Sequence, residues 1–316
     1  SAEQKGVISN LDEAPREYTN PYVPRYNDNN IEYTKALLNE LKTGRAWAIC
    51  LTGGPGIGKS KIGYETAQLC YRERHFDAIV AVWIKHLATR YVSSSETPYR
   101  RDAPLQEVFN QITATLRRRD AYGKDNETQS IAIHDVMRNT HVLLLLDDLD
   151  YLSPQDQELL ERFLERMPAP SVALLTSRQK PQVGEKLVPI TTMSISEAEA
   201  YAYQRIAGLN LASPPNSDLT FILTKAYRIP LIINFYLSIM DSEGLDALEI
   251  VNSRISDKDY QKVLVNLVAH TYNKLSANEL KVAHSLTIFV TPAPAPAIAA
   301  AAELSVTQTI TALGNL

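Results

Sequence analysis

Eight residues, Gly53-Gly54-Pro55-Gly56-Ile57-Gly58-Lys59-Ser60, carry the strongest chemical pattern in the chain. Glycines at this spacing let a backbone curl tightly around a ligand without side-chain clashes. The amides of residues 56–60, Ile57 among them, would then point inward, and the positive end of a following helix would add to them. The result is a cradle for a phosphate chain. Lys59 supplies a mobile point charge that can reach β and γ phosphates. The Ser60 hydroxyl can ligate Mg²⁺. This is the P-loop pattern at every fixed position. A second feature is Asp147-Asp148, delivered by the apolar run His141-Val-Leu-Leu-Leu-Leu146. P-loop enzymes place a Mg²⁺ carboxylate at the end of such a strand. Asp147 is expected to hold Mg²⁺ through water, and Asp148 to polarise an attacking water. Arg178 ends a third apolar run, Leu174-Leu-Thr-Ser-Arg178. A cation there could read the γ-phosphate or be a solvated strand-end arginine, and the local pattern leaves both open. His134-Asp135 reads as a structural histidine, since the six histidines show no metal-ligand spacing.

These residues need elements to hold them. Trp47 to Thr52 reads as a short buried strand and Lys59 to Arg72 as a helix, which is the setting a P-loop requires. Residues 78–84, 141–148, 172–178 and 187–190 read as further strands. Helices are expected at Ile31–Leu41, Pro104–Arg119 and Ile131–Arg138, with Lys124–Ser130 as polar loop. Ser153-Pro154 starts another helix with a hydroxyl cap and a first-turn proline. Strands alternating with helices imply an α/β fold with a five-stranded, mostly parallel sheet. Beyond Met193 only helical patterns appear. Ser196-Glu-Ala-Glu199 reads as a capping box, with Gly208 ending that helix. Helices follow at Ser217–Arg228, Pro230–Met240 and Ser256–Leu275, and a second box at Ser276-Ala-Asn-Glu279 opens the next. Pro292–Pro296 reads as a spacer between it and helices at Ile298–Leu304 and Val306–Leu316. Residues 1–30 read as an irregular leader. Arg100-Arg101 and Arg117–Arg119 are basic clusters without a motif of their own.

A chain of 316 residues is long enough for two or three modest domains. Its net charge of −4 gives no global attraction to nucleic acid or anionic lipid. Two cysteines in a chain this size do not make a disulfide framework. With no signal-peptide pattern and no bilayer-length apolar run, the expected setting is cytoplasmic. From Ser285 to the end Glu303 is the sole charged side chain, so these helices lack the cations a DNA reader needs.

Taken together, the motifs resemble the NB-ARC branch of the STAND ATPases. These are the signalling P-loop switches of apoptosome adaptors, plant resistance proteins and bacterial regulators. The resemblance runs from about Tyr22 to Leu316. Leu143-Leu-Leu-Leu-Asp-Asp148 resembles the kinase-2 motif, Leu174–Arg178 the sensor-1 motif, and Arg228-Ile-Pro-Leu231 the Gly-Leu-Pro-Leu motif. The resemblance implies phosphate contacts at Gly56, Gly58, Lys59, Ser60 and Lys61, and a γ-phosphate sensor in Arg178. It also implies adenine packing by Pro230 and a nucleotide border at Val23-Pro24-Arg25. Two departures stand out. Tyr227-Arg228-Ile229 replaces the family's glycines, and the family's Met-His-Asp motif is missing, so ADP is expected to be held less firmly than in an intact switch.

The expected organisation is a leader over 1–30, a P-loop nucleotide-binding domain over 31–192, an all-α helical domain over 193–255 and a partial winged helix over 256–316. The expected function is an ATP/ADP-dependent switch with Mg²⁺ as cofactor and slow hydrolysis. ADP would clamp it closed, and ATP would open it for ring-like self-association. Effector and sensor domains of a longer protein are the expected partners, in immunity, cell death or transcription control. DNA and membrane are not. The alternatives are an AAA+-like motor or loader and a DNA-binding regulator using the winged helix.

Overall fold

The computed structural model describes residues 6–90, 104–181, 185–209, 211, 214–244, 260–286 and 293–315. Arg100-Arg101, the start of the helix expected from Ser256, and Pro292 lie outside them. The chain divides into two compact units that meet in sequence between Met193 and Ser194.

The first unit is built on a six-stranded sheet in the order β1-β3-β4-β5-β2-β6. The strands are β1 (Ile8–Ser9), β2 (Ala48–Thr52), β3 (Ala78–Trp83), β4 (Val142–Asp147), β5 (Val172–Ser177) and β6 (Lys186–Pro189). All pair in parallel. The four inner strands are nearly continuous Val, Ile, Leu and Ala because both faces are covered. Their side chains split by the two-residue period. Ile79, Ala81, Leu143, Leu145, Leu174, Ile49 and Leu51 join one core, with residues of α1 (Tyr33–Thr43) and α2 (Lys59–Arg72). Val80, Val82, Leu144, Leu146, Leu175 and Cys50 join the other. There they meet α4 (Leu105–Thr115), α5 (Asn126–Met137) and α6 (Pro154–Glu165). Helix α3 (Ile84–Arg90) follows β3 directly.

The sheet has six strands rather than five because the leader supplies β1. Ile8 and Ser9 pair with Ala78 and Ile79. Asn10 then extends the ladder with its side chain, Oδ1 accepting from the Ala81 amide at 2.8 Å and Nδ2 donating to the Ala81 carbonyl at 2.9 Å. Helix α5 also starts earlier than its apolar pattern suggests. Asp125 caps it, accepting from the Thr128 amide at 2.9 Å, so residues expected as loop form its first turn. Ser153 caps α6 as expected, with Pro154 in the first turn. His134 stacks on Phe163 with ring centroids 4.6 Å apart and bonds the Phe163 carbonyl, a structural role.

The second unit is helical throughout its described residues. Helix α7 (Ile195–Leu209) packs on α8 (Asn216–Lys225) and α9 (Pro230–Glu243), and α8 packs on α9. The box that opens α7 is Ser194-Ile-Ser-Glu197, two residues before the expected one, and Gly208 lies inside the helix. Helix α10 (Tyr260–Lys274) is tied to α9 where Glu243 meets His270 and Lys274. Helix α11 (Ala277–Leu286) opens on the expected box, Ser276 to Glu279. It packs with α12 (Ala295–Ala302) and α13 (Val306–Asn315) around Val282, Ile298, Ala302 and Ala312. No helix among the described residues is long and apolar enough to cross a membrane.

Candidate functional site

The glycine loop joins the C-terminal end of β2 to the first turn of α2. Gly53, Gly56 and Gly58 take φ of 148°, 73° and 103°. At Gly53 a Cβ would lie 2.8 Å from the Ile190 carbonyl oxygen, so both backbone and space require glycine. Ile57 is buried and anchors the loop. Ser60 is partly buried in the first turn of α2.

Lys59 is 5% exposed, and its Nζ donates to the Gly54 carbonyl at 3.1 Å. Burial pushes its pKa down, while Asp148, Asp150 and Asp147 oppose that shift. The ammonium at the glycine loop is thus buried within electrostatic reach of three acids.

Strands β4 and β5 set the acids. Leu146 pairs with Leu175, which brings Asp147 beside Thr176. The Thr176 hydroxyl donates to Asp147 Oδ1 at 2.6 Å and accepts from the Asp148 amide at 2.8 Å. Tyr18, from the leader, donates its hydroxyl to Asp147 Oδ2 at 2.6 Å. Burial and the Asp147 charge push the Tyr18 pKa up, so the phenol stays a donor. Asp147 is thus 2% exposed with a bond on each oxygen. Asp148 stands at φ 62°, turned out of the strand direction. Burial, then the Asp147 charge, pushes its carboxyl up to about 6, with Lys85, Lys59 and Arg178 opposing. A carboxylate with that pKa suits proton abstraction from water near neutrality.

Arg178 is exposed. Its amide donates to Asp150 Oδ2 at 2.7 Å, and its guanidinium lies 5.8 Å from the Tyr151 ring centre. Its charge still reaches Lys59 and Asp148. Arg25 is 3% exposed, with Nη1 on the Ile57 carbonyl at 2.9 Å and Nη2 on the Thr191 carbonyl at 2.6 Å. It braces the glycine loop from behind, and Val23 is partly buried two residues earlier. Lys61 turns its Nζ to the Tyr18 and Asn20 carbonyls and to Glu65. Its ammonium therefore serves the leader. Pro230 belongs to the second unit, at the first position of α9. Just before it Tyr227 and Arg228 hold φ of 53° and 55°. Both residues thus hold the left-handed backbone that ordinarily favours glycine.

The first unit thus gathers Lys59, Ser60, Asp147, Asp148, Arg178 and Arg25 around one end of the sheet. Sequence reasoning missed Tyr18, Thr176 and Asp150. Thr176 sits within a motif already singled out and Asp150 two residues beyond another, but Tyr18 has no local marker.

Residues 28–175 match the family model described as an AAA ATPase domain. No curated protein matches the sequence. Among solved structures, the chain is similar to a signal transduction ATPase with numerous domains (STAND) and a tetratricopeptide repeat sensor from Pyrococcus horikoshii. The TM-score is 0.55 at 16% identity, covering 95% of this chain and 41% of that one. It also aligns with a Walker-type ATPase of Pyrococcus abyssi (TM-score 0.47, 13% identity, 92% of this chain and 91% of that one). AMPPCP-bound DnaA from Aquifex aeolicus aligns at TM-score 0.44 and 19% identity, over 89% of this chain and 84% of that one. The fold is that of a P-loop ATPase.

Proposed function

We propose that this chain is the nucleotide-operated core of a STAND-type signalling switch. ATP and ADP would bias two conformations, and hydrolysis would be slow. The observation that carries the reading is Lys59, buried at the glycine loop within electrostatic reach of Asp147, Asp148 and Asp150. The order of motifs through Arg228-Ile-Pro-Leu231 supports a switch of the NB-ARC type. So does a fold likeness to the Pyrococcus STAND protein that takes in both units.

Residues 56–60 would hold the phosphates. Ser60 and Asp147 would hold Mg²⁺, which when bound neutralises charge on the β and γ oxygens. Their oxygen donors suit a hard cation. Mg²⁺ takes few protein carboxylates and completes its shell with phosphates and water. Asp148 would draw the proton from an attacking water. Arg178 would leave Tyr151 for the γ-phosphate, so its loss on hydrolysis would be felt at the strand end. Pro230 would pack against the adenine, and residues 256–316 would form a partial winged helix. ATP binding would release self-association into a ring, with effector and sensor domains supplied by a longer protein.

Calorimetry with ATP and ADP tests the site. Lys59→Ala should weaken ATP by at least roughly 30-fold, from about 2–5 kcal/mol for truncating a buried charged contact. Asp148→Ala should bind ATP and retain it unhydrolysed. Wild-type turnover at or below roughly one per minute fits a switch without a trans arginine. Sustained turnover far above it would favour a motor, and full ATP affinity in Lys59→Ala would remove the site assignment.

A further inference from the structure

Tyr18 lies in a short turn of the leader (Arg16–Tyr18), far in sequence from the acids it meets. It is 5% exposed. Its ring packs between Tyr64 of α2, with centroids 6.1 Å apart, and Trp83 of β3, at 6.2 Å. A phenylalanine would satisfy that packing. The hydroxyl has a separate partner, the Asp147 carboxylate at 2.6 Å. The same turn is fastened beside the site. Lys61, one residue after Ser60, donates to the Tyr18 carbonyl at 2.7 Å and the Asn20 carbonyl at 2.5 Å. Glu17 meets His86 of α3 at 3.1 Å.

With Thr176 on Oδ1 and Tyr18 on Oδ2, each Asp147 oxygen has already accepted one strong hydrogen bond. Such a carboxylate is fixed in rotamer and less free to swing onto a cation directly. It keeps lone pairs that can accept protons from metal-bound water. We infer that Tyr18 is a positioning residue for this carboxylate: its hydroxyl holds Asp147 as the acceptor for water on the nucleotide's Mg²⁺, and so ties the leader to the nucleotide state. The inference rests on the nucleotide site proposed above and adds to it a specific route from metal to leader.

The test uses the full chain and the gain in ATP affinity that Mg²⁺ confers, measured as binding with Mg²⁺ against binding in EDTA. Wild type, Lys59→Ala and Tyr18→Phe are compared. Tyr18→Phe keeps the ring and should shrink the Mg²⁺-dependent gain by roughly tenfold, the low end for loss of a residue that orients a metal ligand. An unchanged gain in Tyr18→Phe, with normal behaviour of the wild type, overturns the Tyr18 assignment alone. A wild type that binds no ATP overturns both readings. Should Tyr18→Phe fail to fold, hydrogen exchange of wild-type residues 16–20 decides. Coupling is reciprocal, so their amides should exchange roughly tenfold more slowly in Mg-ATP than in ATP with EDTA. Equal exchange in the two states overturns the inference.

Discussion

At the scale of single residues, Thr176 does the most with the least. One hydroxyl donates to Asp147 and accepts from the Asp148 amide, so it sets the rotamer of one acid and the backbone turn of the next. It is fully buried, and Gly63 of α2 lies beside it. A Cβ at Gly63 would stand 3.5 Å from Thr176 Cγ2. Thr176→Val keeps the volume and removes both bonds, leaving a buried carboxylate oxygen and an amide short of a partner. Orphaned buried groups cost about 1–3 kcal/mol each. Urea denaturation should therefore show a loss of about 2 kcal/mol or more, with Thr176→Ser recovering most of it. A Thr176→Val protein as stable as wild type would mean that water or a neighbour replaces the hydroxyl.

At the scale of elements, what could be read from sequence was what local chemistry writes down. Helix α2 runs over Lys59–Arg72 as its pattern says, because a glycine loop and a buried strand bound it. Ser153 and Ser276 cap the helices they announce. The box before α7 was ambiguous because two Ser-x-x-Glu matches overlap. The chain uses the one that starts the helix directly after the buried Met193. The leader was illegible for a different reason. Its strand is two residues long, and its remaining pairing is done by the Asn10 side chain across 71 positions of sequence. No window contains both partners. A longer separation, 129 positions, hid Tyr18 and half of the environment of Asp147. This sets an element-scale prediction. Asn10→Ala strands the amide and carbonyl of Ala81 inside the sheet edge, at about 1–3 kcal/mol for each group. Limited proteolysis should then cut the leader ahead of Tyr18 while wild type resists. Equal resistance would show that β1 and the Lys61 contacts suffice to hold it.

At the scale of the whole molecule, the Lys59–acid site lies in the first unit, so its pH response can be set against that of the same unit's fold. Three histidines of that unit, His75, His134 and His141, have pKa values pushed down, in each case chiefly by burial. His75 and His141 meet edge-on with ring centroids 5.4 Å apart, and Phe76 packs against both. Lys42 and Glu73 act on His75, Asp77 on His141, and Arg138, Arg166 and Asp135 on His134. In the unfolded chain a histidine titrates near about 6.5. The folded form therefore binds fewer protons at these three sites. Their contribution is present above that pH and is lost as pH falls through the lower folded values. Asp148 works the other way. Its folded pKa of about 6 lies above the ordinary aspartate value of 3.8, so its contribution is present below that value and fades as pH rises through about 6. In the ligand-free protein the histidines should dominate, three groups against one. The urea midpoint should fall between about pH 7.5 and about pH 5.5. His75→Gln with His141→Gln should flatten that fall, and Asp148→Asn should steepen it by removing the opposing group. A double histidine variant with the wild-type pH slope would show that the acid sensitivity of this fold arises elsewhere.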